Sequence, residues 1–363
     1  MIDISKGGTS IWLDDLSRSK ITGTDSHSLP HRISANHVVG VTTNPSIFNT
    51  AISQGSEYAS DIATMRGTSA EEIVTRLTTD DVRNACDLFL PIYENSSGVD
   101  GRVSIEVDPR SAHDTNATIS EGLHLWKLVD RPNLMIKVPA TLEGLPAVTA
   151  LIAAGVSVNV TLIFSAARYS LVADAFMAGL ESRVCAQADI SRVTSVASVF
   201  VSRIDSAIDT LLKKQGSEIA MSMLGRAAIA NAALAYEVYE SKIASQRWKS
   251  LADAGGEMQR LLWASTGVKD PAYLDTRYVV ELVAPNTVNT MPQATLDALV
   301  DHGIEHDVTL ATRYTEAASV VSTLSNLGIS LEKITDELEI DGVMKFEQAW
   351  IELLKNVEKA ASN

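Results

Sequence analysis

A chain of 363 residues with 45% hydrophobic and 21% charged side chains has ample material for a core, and it carries no low-complexity tract long enough for a disordered arm. Its formal net charge of −15 argues against nucleic acid as the main partner, because a phosphate backbone demands a basic face. Cys86 and Cys185 lie far apart with no CxxC, which argues against a disulfide framework or zinc ribbon and fits a reducing compartment. The opening MIDISKGGTS has no basic then apolar leader, and no run reaches about 18 apolar residues, so a cytoplasmic protein without membrane contact is expected.

Short β-branched runs recur along the chain, separated by stretches of helical periodicity, as in parallel strands joined by crossover helices. In order they are SIWLD (10–14), VVGVT (38–42), RVSIEV (102–107), LMIKV (134–138), VSVNV (156–160), VTSVASVF (193–200), RLLWAS (260–265) and VVELVA (279–284). Eight such units predict a (β/α)8 or TIM barrel, with a doubly wound open sheet as the alternative. Residues 45–98 read as a helical insertion that includes EEIVTRLTTDDVRNACDLFLPIYENS, and 216–254 as a further helical region. In NTMPQATLDALVDHG, Thr290 and Gln293 stand at capping-box spacing, Pro292 falls in the first turn and Gly303 is the stop.

A helical tail from about residue 330 carries Phe346, Trp350, Leu353 and Val357 on one stripe. Such a stripe is usually core or interface, with a lid over the barrel mouth the second reading; left exposed, it would favour a homodimer or a lid. No repeat or Gly/Pro/Ser linker divides the chain, so a single domain, 1–363, is expected. His302 and His306 stand four apart, but Gly303 ends the helix between them and no metal site is expected.

In a barrel of this kind the active site lies at the C-terminal ends of the strands, where alternate side chains face the axis. In LMIKVP, Leu134, Ile136 and Val138 share one face, so Lys137 points inward if those aliphatics meet the helices. Lysine is almost never buried without a partner or a task. The structural alternative is a snorkelling or salt-bridged lysine; the functional one is a Schiff-base nucleophile, since desolvation favours a neutral amine that attacks a carbonyl. The other strand ends supply Asp14, Thr42 with Asn44, Glu106, Asn159 with Thr161, Ser198 and Ser265. Asp14 and Glu106 have the acid and base character that imine chemistry requires, or else serve as ion-pair partners and caps. Arg203, Ser265 and Lys269 are candidates for a phosphate clamp built late in the barrel.

The segments GVTTNPSIF (40–48), VSIEVDPR (103–110), LMIKVPAT (134–141), VSVNVTLIFS (156–165), VFVSRID (199–205) and WASTGVKDPAY (263–273) resemble transaldolase in its longer bacterial form, from the first strand to the eighth. The resemblance implies a (β/α)8 fold with Lys137 as the imine-forming lysine, Asp14 as base for the substrate hydroxyl, and Glu106 with Thr161 holding the catalytic water. It further implies Thr42, Asn44, Asn159 and Ser198 as partners of sugar hydroxyls and intermediate, and Arg203 and Ser265 as phosphate ligands. WLDDLSR offers Asp15 as a competitor, but strand parity groups Asp14 with Trp12 and favours Asp14. Lys269 lies four positions after Ser265, where many shorter members place an arginine two positions after that serine.

The implied reaction moves a dihydroxyacetone unit from sedoheptulose 7-phosphate or fructose 6-phosphate to erythrose 4-phosphate or glyceraldehyde 3-phosphate, with no metal or organic cofactor. A fructose-6-phosphate aldolase-like lyase releasing free dihydroxyacetone, and a non-catalytic sugar-phosphate-binding barrel, are the alternatives.

Overall fold

The computed structural model describes residues 2–303 and 310–362. Its strands are β1 (Thr9–Asp14), β2 (Gly40–Thr42), β3 (Arg102–Glu106), β4 (Leu134–Pro139), β5 (Val158–Ile163), β6 (Ser195–Phe200), β7 (Arg260–Ala264) and β8 (Thr287–Met291). They are parallel and ordered as in the sequence, and β1 pairs with β8 from Thr9↔Thr287 to Leu13↔Met291. That last pairing closes the barrel and separates it from an open doubly wound sheet.

The expected alternation holds at β4. Ile136 faces outward, where Gly122 of the helix Thr115–Val129 comes so close that a Cβ would lie 3.4 Å from Ile136 Cγ2. Inside the barrel, the Trp12 indole occupies space that any side chain at Gly40 would invade, since a Cβ there would sit 2.5 Å from the ring. Below it, Asp100 accepts from Ser10 at 2.9 Å and pairs with Arg260 at 3.0 Å, closing the floor with satisfied polar groups.

The first seven predicted runs each overlap an observed strand; the eighth does not. VVELVA covers the end of the short helix Arg277–Val280 and the turn after it, and the strand is TVNTM. The misassigned segment is apolar because it is buried as a connector, with Trp263 Nε1 donating to Leu282 O at 2.9 Å. Polar residues hide the true strand, yet each has a partner. Thr287 donates to Ala284 O at 2.7 Å, Asn289 to Tyr278 O at 2.9 Å, and Thr290 shares a 2.7 Å hydroxyl contact with Thr42. Thr290 is therefore a strand residue and no helix cap: the helix Gln293–His302 begins after Pro292 without a side-chain cap, although Gly303 does end it. A capping box does stand at Ser69 and Glu72, starting the long helix Ala70–Asn95. His306 lies outside the described residues; His302 Nε2 contacts Asp275 at 2.9 Å.

The tail is one long helix, Leu331–Ser362, packed against the helices Pro45–Gln54, Ala70–Asn95 and Ser202–Gln215 and against β5. Phe346, Leu353 and Val357 are buried within the same chain, and Trp350 partly so. Gly342 lets this helix settle on Leu162 and Phe164, where a Cβ would lie 3.0 Å from Leu162 Cδ2. The stripe is thus core along most of its length and, at Phe346, part of the roof over the barrel mouth. Among the described residues no helix is long and apolar enough to cross a membrane.

In the helix Thr115–Val129, burial pushes the Glu121 carboxyl up from 4.5 to about 7, against a hydrogen bond from the Asp108 backbone. A folded pKa above the unfolded one means the folded state holds an extra proton between those values, so stability falls as pH rises through that window. Glu121→Gln is expected to stabilise the protein at pH 8 by about 1 kcal/mol after solvent screening, and to leave it unchanged near pH 4. Thermal unfolding at the two pH values checks this.

Candidate active site

The C-terminal ends of the strands open into a cavity of about 200 Å³. Asp14, Thr42, Asn44, Lys137, Thr161, Ser198, Arg203, Ser265 and Lys269 all line it, converging from six strands and the loops that follow them. Glu106 and Asn159 do not line it; they flank Lys137 on the neighbouring strands, in register across β3–β4 and β4–β5. A wider cleft of about 720 Å³ adjoins the mouth and shares Asp14, Asn44 and Pro292 with it.

Lys137 is buried, with 4% of its surface exposed. Its Nζ donates to the Thr43 carbonyl at 3.0 Å, lies 3.3 Å from Glu106 Oε2 and stands 5.5 Å from the centre of the Phe346 ring. Burial pushes the Glu106 carboxyl up to about 7 against the attraction of Lys137, with the charge of Asp14 adding to the rise. Glu106 Oε1 and Thr161 Oγ1 are both buried without a hydrogen-bond partner from the protein. Such groups are rare and point to a ligand or solvent molecule as their complement.

Asp14 accepts the Thr42 hydroxyl at 2.7 Å, and Thr42 in turn meets Thr290. Burial raises the Asp14 carboxyl above its ordinary range, opposed by the charge of Lys137 and the hydrogen bond from Thr42. Asp15 takes the other direction and pairs with Lys20 at 3.1 Å, as the parity of β1 requires. On β5, Leu162 has a left-handed backbone, φ 60°, where the pairing with β6 shifts register between Val160 and Ile163. This irregularity adjoins Thr161, at a position where a side chain is held at the rim of the site.

Asn44 caps the helix Pro45–Gln54 by accepting from Ile47 N at 3.0 Å, which fixes its side chain and leaves its amide N–H groups for the mouth. Asn159 is pinned from both sides: its Nδ2 donates to Ser104 at 3.0 Å and its Oδ1 accepts from Ser198 at 2.7 Å. Of that pair it is Ser198 that reaches the cavity.

The far corner is cationic. Arg203, in the first turn of the helix Ser202–Gln215, stacks 5.2 Å from the Phe200 ring, and its Nη1 is buried without a partner. Burial holds its guanidinium below the usual arginine range, with Asp341 acting in the opposite sense. Ser265 adopts φ 54° at the end of β7, and its hydroxyl lies 3.0 Å from that of Ser202. Lys269 has no ion-pair partner among the described residues. A helix N-terminus, two cations and a hydroxyl thus meet at one corner, a chemistry suited to an anion.

Thr43, Ser104, Phe200, Thr290 and Phe346 belong to this constellation without having been assigned to the site from the sequence. Ser104 and Phe200 stand two residues from Glu106 and Ser198, so strand parity could have found them. Thr290 was hidden by the misplaced eighth strand. Phe346 is one position of the tail's apolar stripe, for which a lid over the mouth is only the second reading, because its approach depends on how the tail folds back.

A buried amine beside a carboxylate at the C-terminal mouth of a (β/α)8 barrel is the layout of an enzyme that works through a lysine imine. The family described as Transaldolase/Fructose-6-phosphate aldolase is matched over residues 11–357, and the chain belongs to it. It is 55% identical over 356 residues to Transaldolase 1 of Streptomyces avermitilis, covering 98% of this chain and 93% of the relative. It is 53% identical over 354 residues to the Transaldolase of Mycolicibacterium smegmatis, covering 97% and 94%. With the Transaldolase of Thermobifida fusca it shares 51% identity over 356 residues, covering 98% and 96%.

Proposed function

We infer that the chain is a transaldolase, a transferase of the non-oxidative pentose phosphate pathway acting in the cytoplasm. It moves a dihydroxyacetone unit from sedoheptulose 7-phosphate or fructose 6-phosphate to erythrose 4-phosphate or glyceraldehyde 3-phosphate. The observation that carries this is the buried Lys137 amine, 3.3 Å from Glu106 and opening on a mouth whose far corner is cationic. Two free cysteines suit a reducing compartment.

Lys137 adds to the ketone of the donor, forming a C–N bond. The resulting hydroxyl leaves as water on a proton from Glu106, with Thr161 helping to hold that water. The protonated imine is the electron sink for the next step. Asp14 takes the proton of the C4 hydroxyl, the C3–C4 bond breaks and the aldose phosphate departs. The three-carbon carbanion stays on Lys137, with Asn44 and Ser198 as hydrogen-bond partners and Asn159 bracing Ser198. Attack on the acceptor aldehyde and hydrolysis of the imine complete the transfer. Arg203, Ser265 and Lys269 bind the phosphate.

Borohydride trapping tests this. Incubation with fructose 6-phosphate, reduction and digestion should add the mass of a reduced dihydroxyacetone unit or its parent sugar to the peptide containing Lys137. No mass increase on active, folded protein would sink the imine mechanism. Dependence of turnover on an acceptor aldehyde separates the transferase from a lyase that releases dihydroxyacetone.

Glu106 gives a pH signature. With the carboxyl at about 7, the fraction able to donate a proton falls as pH rises through neutrality. Imine formation is expected to show a limb that declines above about pH 7. Glu106→Gln should flatten it and slow trapping by about 100-fold. Rapid-quench borohydride trapping across pH 6 to 9 measures both.

A further inference from the structure

The helix Ser202–Gln215 carries Asp205, Asp209 and Lys213 at steps of four, on one face. The connection after β7, a loop that leads into the short helix Arg277–Val280, runs along that face and meets all three. Asp205 Oδ2 accepts from Tyr278 at 2.7 Å, Asp209 Oδ2 from Tyr273 at 2.7 Å, and Lys213 pairs with Asp270 at 2.7 Å. The other oxygens of the two aspartates are also engaged, Asp205 Oδ1 by Ala228 N at 2.8 Å and Asp209 Oδ1 by Gly225 N at 2.9 Å. Both aspartates are buried, and neither has a part in the chemistry above. Gly225 is shaped for this packing: its φ is 68°, and a Cβ would fall 2.7 Å from Tyr273 Cζ.

The helix brings Arg203 to the anion corner, and the loop brings Ser265 and Lys269. We propose that the Asp205–Tyr278 and Asp209–Tyr273 contacts are a side-chain zipper that positions the two halves of the phosphate clamp against each other. These four are positioning residues: they act through Arg203 and Lys269 and touch no substrate. Lys269 depends on them most, because it has no ion-pair partner among the described residues and its place is set by the loop backbone. The outermost contact, Lys213–Asp270, has half its lysine side chain exposed and contributes little to the zipper. The proposal rests on the phosphorylated-sugar function inferred above.

Tyr273→Phe removes one hydroxyl and keeps the ring that Arg277 covers at 4.7 Å. It is expected to raise KM for fructose 6-phosphate about tenfold and to weaken inhibition by inorganic phosphate by a similar factor, since a loosened loop must be ordered on binding. The kcat should stay within about twofold. Trapping with non-phosphorylated dihydroxyacetone should be unchanged. Asp209→Asn should behave alike, and Lys213→Met should stay within about twofold of the parent throughout. A Tyr273→Phe protein with unchanged KM and phosphate inhibition overturns the zipper, and so does equal loss toward both substrates. If the parent protein traps no adduct, the functional inference fails instead. Phosphate binding by calorimetry then still tests the zipper, an unaltered affinity in Tyr273→Phe refuting it. Should Asp209→Asn not fold, Tyr273→Phe decides alone.

Discussion

Lys137→Ala is expected to abolish borohydride trapping and to lower transfer by about 10⁴-fold or more, the scale seen when a covalent nucleophile is removed. Of the two lysine amines that line the mouth, that of Lys137 is the buried one, with Glu106 at 3.3 Å ready to exchange protons with it. The same substitution deprives a buried carboxyl of its cation. A buried charge left alone would cost about 3 to 5 kcal/mol, but Glu106 already stands at about 7 and can escape by protonation. Loss of the cation moves its folded pKa further above the unfolded value, so the destabilisation should grow as pH rises. Unfolding midpoints at pH 6 and pH 8 report this, beside the transfer assay. Retention of transfer within tenfold of the parent would remove Lys137 from the role of nucleophile.

Asp14→Asn is expected to lower kcat by about 10²–10⁴-fold while trapping at Lys137 persists, because the base for the C4 hydroxyl acts after the imine has formed. The asparagine keeps the hydrogen bond from Thr42 and the shape of the site, so the loss isolates proton transfer. Asp15→Asn, by contrast, only breaks a partly exposed pair with Lys20 and should change kcat by less than about threefold. A single-turnover comparison of trapping with aldose phosphate release separates the steps. If Asp14→Asn stops trapping as well, its role lies in imine formation and the division of labour with Glu106 is wrong.

Much of this was legible in the sequence because two periodicities carry it. Alternation along a strand turned Lys137, Asp14, Glu106 and Ser198 toward one axis, and β-branched runs marked seven of the strands. The eighth failed because hydrophobicity reports burial and not hydrogen-bonded pairing. VVELVA is buried outside the sheet, while TVNTM pairs with β1 and β7 through its backbone and gives each of its polar side chains a hydrogen-bond partner. Thr290 went astray with it.

What the sequence by itself determined was most of the elements and the chemistry on offer: seven of the eight strands with their helices, one lysine in an apolar strand, two carboxylates at strand ends and cations late in the chain. Those follow from local spacing, which a single chain displays without folding. Only the tertiary structure decided that Phe346 stands over Lys137, that Asn159 serves by bracing Ser198, and that Asp205 and Asp209 tie the Arg203 helix to the loop bearing Lys269. Each of these contacts joins residues whose separation in the chain carries no period, so their meeting is set by barrel closure and by the packing of the tail against its rim.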